Sequence, residues 1–317
     1  MTYARHEAKA YARKHLTGIW AAALTPFTED LRIDEDGFRS NIEHWTQELG
    51  IEGLFIAGKQ GEYYAMTLEE RKRTMELAVE ATGDHGQTIM SVSDPNMDVV
   101  IELARYCESI GADYLVVHAP QLHFTTAQDE TLLRYYRTIA ESVNIGIALW
   151  SHPASGYLMS PDLCNRLADI DNVVAIKYSV PREMYAELTQ LASDRIQVST
   201  SGEPEWLDAI VDLNWRLYLC SSPPYLLQSA KDRRMHDYTQ AAFEGRVDDA
   251  RRISASLDPV REALWGTRPA EKPHAHQKYW QELLGQVGGP VRAPLLELTN
   301  EEKTKTREAF EACGLDV

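Results

Sequence analysis

The sequence predicts an α/β fold, a closed (β/α)8 TIM barrel with a short N-terminal helix and a C-terminal α-helical extension. Three observations carry that expectation. Eight apolar runs recur, at 19–24, 53–57, 88–92, 113–117, 145–150, 173–177, 196–200 and 216–220. A helix-like amphipathic stretch follows each run, which is the alternation of parallel β/α units. Polar and reactive residues gather where the runs end, the face on which such barrels build their sites. They are Thr25, Gly58 to Glu62, Ser91 and Ser93, His118, Trp150 to His152, Lys177, Ser201-Gly202-Glu203 and Cys220-Ser221.

Residues 1–16 are charged and alanine-rich and read as a short outer helix. Thr67-Leu68-Glu69-Glu70 offers a capping box before a helix to about 81, and Ser160-Pro161 a cap followed by a proline at the first helical position. After the eighth run the alternation stops, and 236–244, 247–264, 274–285 and 300–313 read as helices. The expected division is therefore 1–235 for the barrel with its N-terminal extension and 236–317 for the C-terminal helical region.

Composition limits the function classes. With 317 residues and a formal net charge of -16, the chain lacks the basic character that nucleic acid or an anionic membrane requires. No run reaches the length of a membrane span, and the first residues carry no apolar leader. Cys107, Cys164, Cys220 and Cys313 show neither CxxC nor zinc spacing. Reduced thiols, no metal and a cytoplasmic location are expected.

The chemistry centres on Asn172-Val173-Val174-Ala175-Ile176-Lys177-Tyr178-Ser179. Its near-continuous apolar stretch reads as a strand buried on both faces, delivering Lys177 at its end. A free lysine is neutral in roughly one molecule in several thousand at pH 7, but burial lowers its pKa. The reaction a neutral lysine does best is attack on a ketone or aldehyde to give a Schiff base.

With these positions aligned, the chain from about residue 18 onward resembles the dihydrodipicolinate synthase / N-acetylneuraminate lyase superfamily of class I aldolases and dehydratases. The supports are Leu24-Thr25-Pro26-Phe27, the G-x-x-G-E loop Gly58-Lys59-Gln60-Gly61-Glu62, Val174-Ala175-Ile176-Lys177, Ser201-Gly202-Glu203, and Gly288-Gly289-Pro290-Val291-Arg292-Ala293-Pro294-Leu295. The resemblance implies a homotetramer of barrels and a Lys177 imine with pyruvate or another 2-oxo acid, without a cofactor. It also implies that the G-x-x-G-E loop holds the substrate carboxylate through backbone N–H groups, and it places Ser201, Gly202 and Ser221 among the substrate-binding positions.

Departures narrow the reading. Where the family carries a proton-relaying tyrosine, this chain has Trp150, followed by Ser151-His152-Pro153. An indole N–H donates only. There is no arginine after Pro153, and Gln121-Leu122 replaces a tyrosine pair. Dihydrodipicolinate synthesis itself is therefore not expected. His152 is the first candidate for the missing proton carrier, with His118, His123 and Tyr63 as alternatives. Lys59 and Gln60 stand in the loop's hydroxyl positions, Glu62 is expected as a buried hydrogen-bonding residue, and Trp150 with Tyr63-Tyr64 suits a ring-bearing substrate. His274 and His276 lie two apart near the C-terminal helices, and with no third candidate ligand beside them they are not expected to hold a metal. The expected function is a Schiff-base lyase for aldol cleavage or condensation, including a hydratase-aldolase with an aromatic partner. The alternatives are a 2-keto-3-deoxy sugar acid dehydratase and a non-catalytic 2-oxo acid binding paralogue.

Overall fold

A computed structural model describes residues 3–122, 126–200, 202–220 and 223–317. Among the described residues, eight strands form one sheet in the order β7-β6-β5-β4-β3-β2-β1-β8. They are β1 Gly18–Ala22, β2 Gly53–Ile56, β3 Gln87–Ser91, β4 Tyr114–His118, β5 Gly146–Ser151, β6 Val173–Tyr178, β7 Gln197–Ser199 and β8 Leu217–Leu219. Strands β7 and β8 stand at opposite ends of that order, yet the Ser199 hydroxyl accepts from the Leu219 N–H at 2.7 Å. That bond joins the two ends, and the fold is a (β/α)8 barrel.

The N-terminal helix α1 Ala8–His15 precedes β1, and the connecting helices are α2 Glu35–Gln47, α3 Leu68–Thr82, α4 Met97–Ser109, α5 Gln128–Glu141, α6 Pro161–Leu167, α7 Arg182–Ala192 and α8 Trp206–Leu213. The C-terminal extension holds α9 Arg234–Phe243, α10 Val247–Ala255, α11 Asp258–Gly266, α12 Pro273–Leu283 and α13 Asn300–Ala312. The sequence had 247–264 as one helix; it is two. Pro259 lacks an N–H and its ring conflicts with the carbonyl four residues back, so α10 stops at Ala255 and α11 starts anew around the proline. Both expected caps form: Glu70 N donates to the Thr67 hydroxyl at 3.2 Å, and Leu163 N to the Ser160 hydroxyl at 3.2 Å.

The chain falls into two compact units, Met1–Trp20 with Gln87–Cys220, and Ala21–Gly86 with Ser221–Val317. In the first, α1 is too short to stand alone and is held by aromatic packing at the starts of β4 and β5. Tyr3 stacks on Tyr11 at 4.5 Å, and the Tyr3 hydroxyl donates to the Asp113 carbonyl at 2.7 Å while accepting from Gly146 N at 2.8 Å. Buried Asn172 donates its amide to the carbonyls of Ala140 and Ile145, both at 3.1 Å, which fixes the entry of β6. In the second unit, Trp45 stacks on Tyr225 at 4.0 Å and donates to Gln286 at 2.8 Å, tying α2 to the segment after α12. No helix of the described residues is long and apolar enough to cross a membrane.

Candidate active site

Lys177 owes its position to one extra residue. β5 and β6 pair Ile147 with Val173 but Ala148 with Ala175, so Val174 is a bulge and the remainder of β6 is shifted by one. A shift of one residue exchanges the two faces of a strand. The shift sets Lys177 opposite Trp150, which is itself opposite His118 on β4, while Lys177 also pairs with Ser199 on β7. His118, Trp150, Lys177 and Ser199 thus form one level across four adjacent strands.

Lys177 is fully buried. Its Nζ donates to the Cys220 carbonyl at 2.5 Å and lies 4.8 Å from the centre of the Trp150 ring. The Trp150 indole meets the His118 ring edge-on at 4.7 Å and the His152 ring at 5.9 Å.

The two histidines differ in the nitrogen they commit. His152 has extended backbone, φ −149° and ψ 144°, and its Nδ1 accepts from Ala154 N at 3.0 Å, capping the short turn Pro153–Ser155. An accepting Nδ1 leaves the proton of the neutral ring on Nε2. His118 Nδ1 lies 2.8 Å from the Ala119 carbonyl, which can only accept. Its neutral ring therefore carries the proton on Nδ1 and leaves Nε2 unprotonated.

Beyond this level lies a cavity of about 450 Å³ whose lining includes His152, Ser179, Thr200, Gly202 and Glu205; Lys177 is not among its lining residues. Ser179 N donates to the Ser151 carbonyl at 3.0 Å, so the β5–β6 ladder runs one residue past β6 toward the cavity. The Thr200 hydroxyl donates to Glu205 Oε2 at 3.1 Å, and a Cβ on Gly202 would meet that same oxygen at 3.1 Å. Glycine is what lets Glu205 fold back there.

The second unit carries the G-x-x-G-E loop after β2. Glu62 takes the left-handed conformation at φ 59°, and a Cβ on Gly61 would come within 3.2 Å of the Ala23 carbonyl and the Thr25 hydroxyl. Glu62 is the buried hydrogen-bonding residue the sequence suggested: its Oε1 pairs with Lys278 Nζ at 2.6 Å and its Oε2 accepts from Arg292 N at 2.9 Å. Lys59 is half-buried, and that burial lowers its pKa. Tyr63 lies under the Arg71 guanidinium at 5.1 Å, while Tyr64 is 45% exposed.

Sequence reasoning missed the partner of this loop. His274 Nε2 donates to the Lys59 carbonyl at 2.9 Å, whereas His276 turns to the Thr267 hydroxyl at 2.9 Å. The two imidazoles serve different neighbours, and no group of three or more His, Cys, Asp or Glu among the described residues is placed to hold a metal. Ser201, Ser221 and His123 lie outside the described residues.

A family model described as the dihydrodipicolinate synthetase family matches residues 15–313. The chain belongs to that family. It is an enzyme of the class I aldolase, Schiff-base lyase type. Among similar proteins of the family, a 4-hydroxy-tetrahydrodipicolinate synthase of Methanothrix thermoacetophila is 27% identical over 92% of this chain and 95% of its own. One from Moorella thermoacetica is 29% identical, covering 94% of this chain and 98% of its own. An N-acetylneuraminate lyase structure from Fusobacterium nucleatum superposes with a TM-score of 0.83 at 21% identity, over 95% of this chain and 100% of its own, and shares the fold.

Proposed function

We propose that this family member is a lyase in which Lys177 forms a Schiff base with pyruvate or another 2-oxo acid and performs aldol cleavage or condensation. The observation that carries the reading is the full burial of Lys177 at the end of β6, with its amine over the Trp150 ring. The neutral amine attacks the substrate C2 carbonyl, water leaves, and a protonated imine forms. In the cleavage direction the electron pair of the C3–C4 bond moves into that imine to give an enamine, and the C4 hydroxyl proton goes to a base. Reprotonation at C3 and addition of water return the 2-oxo acid and the lysine. The imine is the electron sink, so no cofactor is required.

Trp150 is suited to the cationic half of this cycle. A π face within about 6 Å stabilises a cation, and the iminium would take the place of the ammonium now 4.8 Å away. What an indole cannot do is relay a proton. His152 and His118 are the two candidates, and the tautomers favour His118, because the unprotonated nitrogen of His152 is its Nδ1, which caps Ala154, whereas that of His118 is Nε2, away from the Ala119 carbonyl. The aromatic level favours a ring-bearing aldehyde partner, as in a hydratase-aldolase, over the dicarboxylate implied by the relatives' name. Retention of Lys177 and membership of a family of class I lyases weigh against the binding-only paralogue that the loss of the relay tyrosine suggested, and measurable turnover tests the point.

We propose that the chain assembles as a homotetramer acting on a small molecule, as the family resemblance implies. Four free, buried cysteines support a reducing, cytoplasmic setting. Light scattering tests the assembly. The chemical test is incubation with pyruvate and borohydride followed by peptide mass mapping. A reduced pyruvyl adduct on Lys177 is expected; no adduct, or one on another lysine, overturns the reading.

A further inference from the structure

The short turn after β5, Pro153–Ser155, exposes its first two residues and buries the third. Ser155 N donates to the His152 carbonyl at 3.0 Å and Gly156 N to the Pro153 carbonyl at 2.9 Å, and Gly156, at φ 84°, carries the chain out of the turn. The Ser155 hydroxyl reaches the end of β4 instead: it donates to the Ala119 carbonyl at 3.1 Å and lies 3.3 Å from His118 Nδ1. Two further bonds clasp the same pair of segments, from the Tyr157 hydroxyl to the Pro120 carbonyl at 2.7 Å and from the Gln121 amide to the Ala154 carbonyl at 3.4 Å.

These bonds decide what Ser155 offers to His118. A hydroxyl has one proton to give, and that of Ser155 goes to the Ala119 carbonyl, so its oxygen faces Nδ1 as an acceptor. The Ala119 carbonyl, 2.8 Å from Nδ1, also only accepts. An Nδ1–H therefore meets two acceptors, whereas an unprotonated Nδ1 would meet the carbonyl lone pair to lone pair. When the ring takes a second proton, the bonds from Nδ1–H become charge-assisted and strengthen. The two acceptors are not equivalent. Ala119 follows His118 in the chain and orients the ring only relative to its own segment; Ser155 orients it relative to β5, which carries Trp150 and lies between the strands of His118 and Lys177.

We infer that Ser155 is a positioning residue for the proton carrier: its hydroxyl, with the Ala119 carbonyl, keeps one proton of the His118 ring on Nδ1, so that Nε2 is the nitrogen that takes a proton from the Lys177 imine of the substrate. This rests on the proposed reading of His118 as the proton carrier. It gives the turn after β5 a task in the chemistry without placing any of its side chains on the substrate.

The experiment uses pyruvate alone on the full-length protein. Once the imine has formed, a C3 proton passes to the base and the electron pair of that C–H bond moves into the imine to give the enamine. In D2O a deuteron returns to C3, read by proton NMR as loss of the pyruvate methyl signal. Exchange above a Lys177→Ala blank is measured beside borohydride trapping at Lys177 for the wild type, Ser155→Ala, the isosteric pair Ser155→Thr and Ser155→Val, His118→Gln, and His118→Gln combined with Ser155→Ala. Ser155→Ala is expected to slow exchange about tenfold or more, the scale of one hydrogen bond to a charged group, while the pyruvate concentration for half-maximal trapping stays at the wild-type level. Ser155→Thr, which keeps the hydroxyl, should exchange faster than Ser155→Val. In the His118→Gln background Ser155→Ala should cost nothing further, because groups that act as one unit do not add. Unchanged exchange in Ser155→Ala, a Thr variant no faster than the Val variant, or additive losses overturn the inference, and so does a parallel loss of trapping and exchange, which would mark a purely structural role. Wild-type exchange in His118→Gln is a different result: it removes His118 as the proton carrier, and the inference with it. Failure of the wild type to trap pyruvate at Lys177 removes the Schiff-base reading itself.

Discussion

The Lys278 ammonium lies 2.6 Å from the Glu62 carboxylate, and neither side chain reaches solvent. Lys278 also donates to the Pro290 carbonyl at 2.7 Å and stands 4.3 Å from the Phe27 ring, whose centre is 4.2 Å from the Arg292 guanidinium. The Gly288-to-Pro294 segment is thereby locked to the G-x-x-G-E loop. Burial pushes the Lys278 pKa down while Glu62 pushes it back up, so the pair is a desolvated one whose value depends on both members.

Removing one member of a buried pair strands the other. Lys278→Met is expected to lower stability by about 3–5 kcal/mol, read as a reduced midpoint in urea. Combining Lys278→Met with Glu62→Gln is expected to recover most of that loss. If the double variant is no more stable than Lys278→Met alone, the uncompensated charge is not what destabilises it.

His276 predicts an acid-sensitive fold. It is fully buried, and burial, helped by Arg268, lowers its pKa from 6.5 to about 4. The unfolded chain then binds a proton that the folded one refuses between those values. The contribution is fully present above pH 6.5 and is lost as pH falls toward 4, at about 2 kcal/mol between pH 7.5 and 5. His274 shifts in the same direction and Asp113 in the opposite one, so the difference between wild type and His276→Gln isolates the effect. Urea unfolding at both pH values should show a shallower pH dependence in the variant; parallel curves would refute the assignment.

Trp150 offers a third test. If its π face stabilises the iminium, Trp150→Leu should raise the pyruvate concentration for half-maximal trapping by about 3- to 30-fold, the range of a desolvated cation–π contact. Trp150→Phe, which retains a ring, should fall between the two. Equal behaviour of Leu and Phe variants would show that the ring contributes only packing.

The parts of this molecule legible in the sequence are those set by local chemistry. Lys177 could be read because an apolar β-branched run announces a buried strand and the lysine ends it. The caps at Thr67 and Ser160 are local in the same way. The Val174 bulge was not legible, although it decides which face Lys177 occupies, because register is settled by pairing with β5. Burial of Glu62 was expected from its loop, but its partner Lys278 lies in a distant helix and carries no local mark. His274 and His276 invited a joint reading from their spacing. Helical geometry instead sends them to Lys59 and Thr267. Pro259 was in plain view, and weighting it as a breaker would have split the long helix correctly.

The proton carrier is where sequence proximity and hydrogen-bond geometry part. His152 is two residues past the relay position occupied by Trp150, but its Nδ1 caps Ala154 at 3.0 Å. To accept a proton on Nε2 it would first have to surrender that cap and change tautomer. His118 stands level with Trp150 on the neighbouring strand, its Nδ1–H given to the Ala119 carbonyl at 2.8 Å and supported by the Ser155 hydroxyl at 3.3 Å. A backbone carbonyl on one nitrogen fixes the tautomer and leaves the other unprotonated, the form a base requires. His118→Gln is therefore expected to lower kcat by about 10²–10⁴, the usual scale of general acid–base catalysis, while borohydride trapping at Lys177 persists. His152→Ala should cost less than about tenfold, since it removes a turn cap and a cavity wall rather than the base. The reverse ranking, with His152→Ala the more damaging to kcat and His118→Gln nearly silent, would return the role to His152 and show that its cap opens when substrate binds.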